Sequence, residues 1–378
     1  DPASFPLTTP TGGQYDSGEY AKALDAALAA AGYDELRAEQ ARRRAAGDRL
    51  QLGIGVAAYV EVTAPLGLHT EYGAVEVHDD GTATMAVGTS AHGQGHHTAF
   101  AMIASDVLGI PMDRIRLVDS DTAEVPRGSG TMGSRSLQTA GNAVLAASNE
   151  VLARAKQIAA HLLEADPGDI VAGDGGLHVA GVPGRAIPWA ELAAASRDAG
   201  RLPDGVEAGP LRFEGDFDGT NSTFPFGAHV SVVEVDTETG RVTMVRHVAV
   251  DDCGRILNPL LVTGQQHGGI AQGAAQALFE WVQYDEDGNP LTTNLADYAI
   301  PAASELISFE TSNTETDSPR NPLGAKGIGE SGTIGSTPAI QNAVVDAVSH
   351  LGITHIDMPC SPERVWRAIR SAGAGAAA

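Results

Sequence analysis

The sequence predicts an α+β fold of mixed sheets and helices, built as two repeated halves. Segments GIGVAAYVEVT and GAVEVHDDGTATMAVGTS alternate apolar and polar side chains around a DDG turn, the mark of a strand pair. Residues 141–163, GNAVLAASNEVLARAKQIAAHLL, carry apolar side chains at helical spacing. A third observation joins them. The order GA, a VEV strand, an acidic Gly turn, a second strand, a Gly-Gln-His loop and a helix begins at Gly73 and again at Gly227, as an internal duplication would require.

The elements follow in order. Residues 1–15, rich in Pro, Gly and Thr, read as an extended arm. Ser17 is placed to cap the helix YAKALDAALAAAGY, which Gly32 stops, and Arg37 to Gly47 form a second, charged helix. After the first strand pair come a helix over Thr98 to Leu108, a short strand in RIRLVDSDT and the helix of 141–163. The stretch 165–215 is looser, with DPGD, GDGG and VPG turns around short strands. The expected organisation is therefore an arm with helices over 1–50, a first half over 51–215 and a second half over 216–378.

At 378 residues and 43% hydrophobic the chain can bury a sizeable core, as two domains or one large one. Forty-eight acidic against 24 basic residues give a formal charge of -24, a field that repels nucleic acid and anionic membrane surfaces. Cys253 and Cys360 are the only cysteines, too few for a disulfide framework or a four-thiolate iron–sulfur cluster, so any such cluster belongs on another chain. No eighteen-residue apolar run occurs, and the terminal SAGAGAAA is too short and small-sided to span a bilayer, which suits a cytoplasmic protein. The chain opens at Asp1 without methionine, which fits a processed, split or truncated precursor.

Four segments read as Gly-rich loops with polar side chains: GTSAHGQGHHT at 88–98, GSGTMGSRS at 128–136, GQQHGG at 264–269 and GAKGIGES at 324–331. Glycine lets backbone amides approach a ligand closely, and amides at a helix start point at anions. One such loop is an ordinary turn; four with matched Gln, Arg, Ser and Thr donors suit a phosphate or a heterocycle. Neither a dinucleotide-binding GxGxxG nor a GxxxxGK[ST] loop stands in its required context. The histidines of HGQGHH, His92, His96 and His97, match neither HExxH nor finger spacing. Ser331 lies in no GxSxG elbow. Glu330, between Gly329 and Ser331, is either loop decoration or a positioned base, and a base needs partial desolvation to work near neutral pH. Lys326 is either the counter-charge for a bound anion or a surface lysine.

In combination, AHGQGHHT, GTMGSRS, DDCGRILNP with GQQHGGIAQG, and NPLGAKGIGES, in that order, resemble the molybdenum-binding large subunit of the xanthine oxidase family of molybdenum hydroxylases. FPLTTPTGGQYDSGEYAKAL and VEVDTETGRV fit its aerobic carbon-monoxide-dehydrogenase-like branch. The resemblance runs over essentially the whole chain and implies the C-terminal half of such a subunit, since family members are about twice as long and the other half is absent here.

The resemblance implies that both halves, 51–215 and 216–378, bind a molybdenum–molybdopterin cofactor, commonly the cytosine dinucleotide form in bacterial members, with molybdenum held by the pterin and no direct protein ligand. Matched residue by residue, Gln94, Gly95, His96, Thr131, Gly133, Ser134, Arg135 and Ser136 face the cofactor, and Gln265 or Gln266 with Lys326, Gly327 and Gly329 complete the cradle. Glu330 takes the place of the family's active-site base. Water supplies the oxygen, and electrons leave to 2Fe–2S clusters and FAD on partner chains. The expected partners are the N-terminal half of the large subunit, an iron–sulfur subunit, a flavin subunit and a small-molecule substrate such as an aldehyde or N-heterocycle. Carbon monoxide is the alternative substrate, although the cysteine-bearing loop that helps hold copper in its oxidisers lies in the absent half and Cys253 does not match it. The competing reading is an inactive cofactor-binding or assembly protein of the same fold, against which the intact GIGES setting of Glu330 speaks.

Overall fold

The alternating segments become two four-stranded open sheets with the same internal order. The computed structural model describes residues 2–65, 67–173, 175–219 and 221–375, so the last three residues of SAGAGAAA and Asp174 of the GDGG turn lie outside it. In chain order the elements are β1 (Leu7–Thr8), β2 (Gln14–Tyr15), α1 (Tyr20–Ala31), α2 (Tyr33–Ala46), β3 (Leu50–Val60), β4 (Thr70–Val77), β5 (Ala83–Val87), α3 (His96–Leu108), β6 (Ile115–Val118), α4 (Asn142–Leu163), β7 (Ile170–Gly173), β8 (Gly176–Val179), β9 (Ile187–Pro188), α5 (Trp189–Ala195), β10 (Leu211–Asp218), β11 (Phe226–Asp236), β12 (Val242–Asp252), α6 (Pro259–Leu278), β13 (Glu310–Thr314), α7 (Ser331–Val348) and α8 (Pro362–Gly375).

The chain divides into two compact units, unit 1 from residues 1–61, 224–317 and 328–378 and unit 2 from 62–223 and 318–327. These units do not follow the boundaries at 50 and 215. The physical reason is strand pairing: β3 joins the late strand β11, and β10 turns back onto β4.

In unit 2 the sheet order is β10-β4-β5-β6; in unit 1 it is β3-β11-β12-β13. Each contains an antiparallel hairpin (β4/β5, β11/β12), a crossover through a helix (α3, α6) to a parallel strand (β6, β13), and then a second helix (α4, α7). The duplication is thus topological. Only the fourth strand differs in origin, since β10 follows its unit's hairpin in sequence and β3 precedes its own.

Unit 1 buries both faces of its sheet. Ala228, Val230, Val248 and Val250 pack on Ala23, Ala27 and Ala31 of α1, whereas Val233, Val235 and Met244 pack on Ile340, Val344 and Val348 of α7. A register shift at Val232/Val233 lets β11 and β12 keep the α7 face in step. The contact with α7 is close because β3 carries glycine there: a Cβ on Gly55 would stand 1.9 Å from the Ala339 carbonyl oxygen, and one on Gly53 equally close to that of Ala343.

Local signals held in most places and failed in two. Gly32 ends α1 in the left-handed conformation, as its position suggests. Ser17 does not cap α1; the helix begins after Glu19 without a side-chain cap, and the Ser17 hydroxyl donates instead to the Thr316 carbonyl. The Gly-rich GQQHGG is no loop, because it lies within α6.

Cys253 and Cys360 are buried free thiols. Burial, reinforced by the charges of Asp252 and Asp251, pushes the Cys253 thiol up to about 12, and burial pushes that of Cys360 to about 11. Neither presents a thiolate at neutral pH. The native chain at pH 8 is therefore expected to resist Ellman's reagent, with both thiols reacting only after denaturation; prompt native reaction would contradict their burial.

Candidate functional site

In unit 2 the loop after β5 carries His96 to the start of α3. Gly93 and Gly95 adopt left-handed φ values of 95° and 84°, and the Gln94 side-chain oxygen accepts from the His92 amide. Thr131 ties the second loop to the first: its hydroxyl donates to the Ser90 carbonyl at 2.6 Å and accepts from the Ser90 amide at 3.1 Å. Ser136 reaches Thr131 at 3.4 Å. Gly133 and Ser134 both adopt left-handed φ, 57° and 49°, an unusual strain for the serine.

His96 is the group that asks for a ligand. It is 5% exposed and stacks on Phe100, yet both ring nitrogens are buried without a hydrogen-bond partner. Burial lowers its pKa, against a smaller upward pull from Asp119, so the ring is neutral near pH 7 and offers one donor and one acceptor. The Thr89 hydroxyl close by in sequence and the Gln138 amide nitrogen are likewise buried and unmatched.

Arg135 has protein partners on all three guanidinium nitrogens. Fully buried, it donates from Nε to the Leu68 carbonyl at 2.8 Å and from its two terminal nitrogens to Glu71, Gly130 and Thr70. A loop arginine with unmet donors is what the sequence pattern suggests; the buried Glu71 carboxylate, on a neighbouring strand, claims it instead. Its role is to fold the 128–136 loop.

The segment 318–327 completes unit 2. Lys326 is 1% exposed, so the surface-lysine alternative fails. Gly327 lies against Ser134, where a Cβ would come within 2.3 Å of the serine carbonyl oxygen. Asn321 braces the turn by bonding the Ala325 amide and carbonyl, and Asn142 at the head of α4 bonds both Asn321 and the Leu323 amide. Neither asparagine is singled out by sequence pattern, although an amide side chain opening an apolar helix is a usable signal.

Unit 1 holds Gln265, Gln266, Gly329 and Glu330. Glu330 stands at the N-cap position of α7, exposed, and its side chain makes no cap bond to the helix amides. Gly329 is exposed beside it and Gln265 is half-buried. Gln266 is fully buried, donates to Asp251 Oδ2 at 2.8 Å and leaves its own side-chain oxygen unmatched. The helices α6 and α7 cross at glycines, since a Cβ on Gly332 would stand 2.9 Å from the Gly269 Cα. Among the described residues no group of three or more His, Cys, Asp or Glu side chains is placed to hold a metal ion, and no helix is long and apolar enough to cross a membrane.

Comparison with known proteins places this geometry in context. A family profile described as a molybdopterin cofactor-binding domain matches residues 26–307. The chain is 39% identical over 376 residues to the carbon monoxide dehydrogenase large chain of Hydrogenophaga pseudoflava, covering 97% of this chain and 46% of that protein. It is 36% identical to the nicotine 6-hydroxylase large subunit of Paenarthrobacter nicotinovorans, with the same coverages of 97% and 46%. The chain thus spans about half the length of the curated relatives it matches, in their C-terminal part. Among solved structures, a Cu,Mo-CO dehydrogenase superposes with a TM-score of 0.91 at 37% identity, over 98% of this chain and 48% of that one. The quinoline 2-oxidoreductase of Pseudomonas putida 86 gives 0.90 at 35% identity, over 98% and 48%.

Proposed function

The chain belongs to the molybdopterin cofactor-binding domain family, and from that premise we propose that it is the C-terminal cofactor-binding portion of a molybdenum hydroxylase or dehydrogenase that oxidises a small molecule such as an aldehyde or N-heterocycle. The bound group is the cytosine dinucleotide form. The partners are the remaining half of the large subunit, an iron–sulfur subunit and a flavin subunit, and the complex is cytoplasmic.

The observation that carries this reading is His96. A neutral ring buried to 5% exposure, with both nitrogens unmatched behind a Gly-rich loop at a helix start, costs stability unless a ligand supplies the missing bonds. The donor set fits a pterin dinucleotide: amides at Gly93 and Gly95 for phosphate oxygens, and neutral side chains at Gln94, His96, Thr131, Ser134 and Ser136 for the heterocycle. In unit 1, the Gln266 side-chain oxygen is likewise buried and unmatched.

When bound, the molybdenum–pterin supplies the two-electron oxidation and accepts oxygen from water. Glu330, an exposed carboxylate at the head of α7, takes a proton from the attacking oxygen nucleophile and later releases it. Its exposure in this chain means that substrate and cofactor must supply the desolvation a base needs.

The test is elemental and nucleotide analysis of the chain purified with whatever co-elutes. Molybdenum with acid-released cytidine monophosphate, and iron on a companion chain, is the expected result; copper would direct the substrate to carbon monoxide. Absence of molybdenum from a folded complex would overturn the reading. His96→Phe, which keeps the stack on Phe100 but removes both nitrogens, is expected to weaken cofactor retention by about 1–3 kcal/mol, roughly five- to 150-fold. Unchanged molybdenum occupancy after prolonged dialysis would remove His96 from the cradle.

A further inference from the structure

The head of α7 is held from three sides within unit 1. Just past the end of β3, Glu61 accepts a hydrogen bond from the Ser331 hydroxyl at 3.1 Å, and Tyr59 stands two residues earlier, within β3. From α6, Gly269 presses on Gly332. From β11, the His229 ring occupies the space beside Gly335, where a Cβ would stand 2.6 Å from ring atoms. Ser331 and His229 are fully buried.

Behind Tyr59 the polar contacts continue inward. Its hydroxyl donates to Asp251 Oδ1 at 2.7 Å, crossing the central strand over Gly227. That crossing demands glycine, because a Cβ there would stand 2.4 Å from the same oxygen and 2.8 Å from the tyrosine ring. Asp251 Oδ1 also meets His229 at 3.0 Å, His229 meets His247 at 3.2 Å, and His247 meets the Ser231 hydroxyl at 2.6 Å. Asp251, His247 and Ser231 have no exposed surface.

Burial alone would raise the Asp251 carboxyl, but the charge of His229 and the bonds from His229, Tyr59 and Gln266 outweigh it and hold the group below its ordinary value. Burial drives His247 well below the usual imidazole range, helped by His229 and opposed by Asp251. An ionised carboxylate with three donors, set in a core otherwise made of Val, Ile and Ala, is an expensive way to obtain stability alone. Such an arrangement specifies one geometry.

We propose that Ser331, Tyr59 and Asp251 are positioning residues for Glu330, forming a buried brace that fixes the first turn of α7 and hence the backbone that carries the carboxylate. The inference rests on the assignment of Glu330 as the base. It goes beyond that assignment by naming what keeps an exposed N-cap side chain in one place.

The Ile334 amide reports on the brace, since it donates to the Glu330 carbonyl at 3.0 Å. In the assembled, loaded enzyme, Tyr59→Phe is expected to speed Ile334 hydrogen exchange about five- to tenfold, the worth of one lost hydrogen bond, with amides of the β4/β5 hairpin unchanged. Ser331→Ala, as the second variant, should do the same. With whichever of quinoline, benzaldehyde or carbon monoxide the wild type oxidises, kcat should fall roughly ten- to hundredfold at unchanged KM, because orientation and not affinity is lost. Unchanged Ile334 exchange in both variants would overturn the brace. Faster exchange with unchanged kcat would overturn its positioning role. Should Glu330→Gln retain full turnover, the base assignment itself fails, while the exchange result would still describe the brace.

Discussion

Glu330→Gln in the assembled enzyme is expected to lower turnover by about 10²–10⁴-fold while leaving molybdenum and nucleotide content at the wild-type level. The substitution keeps side-chain length and removes the negative charge and with it the capacity to accept a proton. It leaves the Ser331 hydroxyl on Glu61 and the Ile334 amide on the Glu330 carbonyl, so the start of α7 is preserved. Because Glu330 makes no cap bond to the helix amides, the variant loses no stabilising cap. Stopped-flow reduction of the enzyme by substrate, compared with metal analysis of the same sample, separates chemistry from loading. Full turnover would take Glu330 out of the mechanism.

The second large effect is on stability. Arg135→Ala is expected to cost about 3–5 kcal/mol, because Glu71 would be left as a buried carboxylate without its cation. Three carbonyls, those of Leu68, Thr70 and Gly130, would lose a donor at the same time. In unit 2 this corresponds to a fall in melting midpoint of roughly 6–20 °C. Replacing both partners together, Arg135→Met with Glu71→Leu, should recover much of the loss, since the penalty lies in the orphaned charge. A single variant that melts within 2 °C of wild type would show that the pair is not worth its burial. Any loss of cofactor in Arg135→Ala then follows from loop disorder, which distinguishes it from the direct loss expected for His96→Phe.

Much of this architecture could be read directly from sequence. The hairpins, the helix over 141–163 and the repeated strand-turn-strand-helix order depend on local periodicity, and both sheets reproduce them with one strand order. What local pattern could not carry was anything decided by distant partners. Glu61 and Ser331 are 270 residues apart, and Tyr59 and Asp251 are 192 apart, so no spacing rule connects them. The ion pair of Arg135 was equally illegible, because the partner of this loop guanidinium is an acid 64 residues earlier. GQQHGG looked like a loop because glycine disfavours helix by about 1 kcal/mol per residue. Close packing of α6 on α7 overrides that preference, and Gly269 of this segment makes the approach possible. The division into units failed for the same reason, since β3 belongs with strands that follow much later.

That late pairing has a consequence for biosynthesis. The Ile54 amide on β3 finds its acceptor, Asp346 of α7, 292 residues downstream. At translation rates of roughly 5–20 residues per second, β3 waits on the order of 15–60 s for the helix that covers it. Meanwhile unit 2, whose main segment is continuous over 62–223, can complete most of its sheet. The nascent chain therefore carries β3 unpaired until β11 emerges, and uncovered on its α7 face for longer still, the kind of edge that recruits foreign strands. Recombinant yield of this chain should accordingly depend more on holdase chaperones acting during translation than on the equilibrium stability of the finished fold.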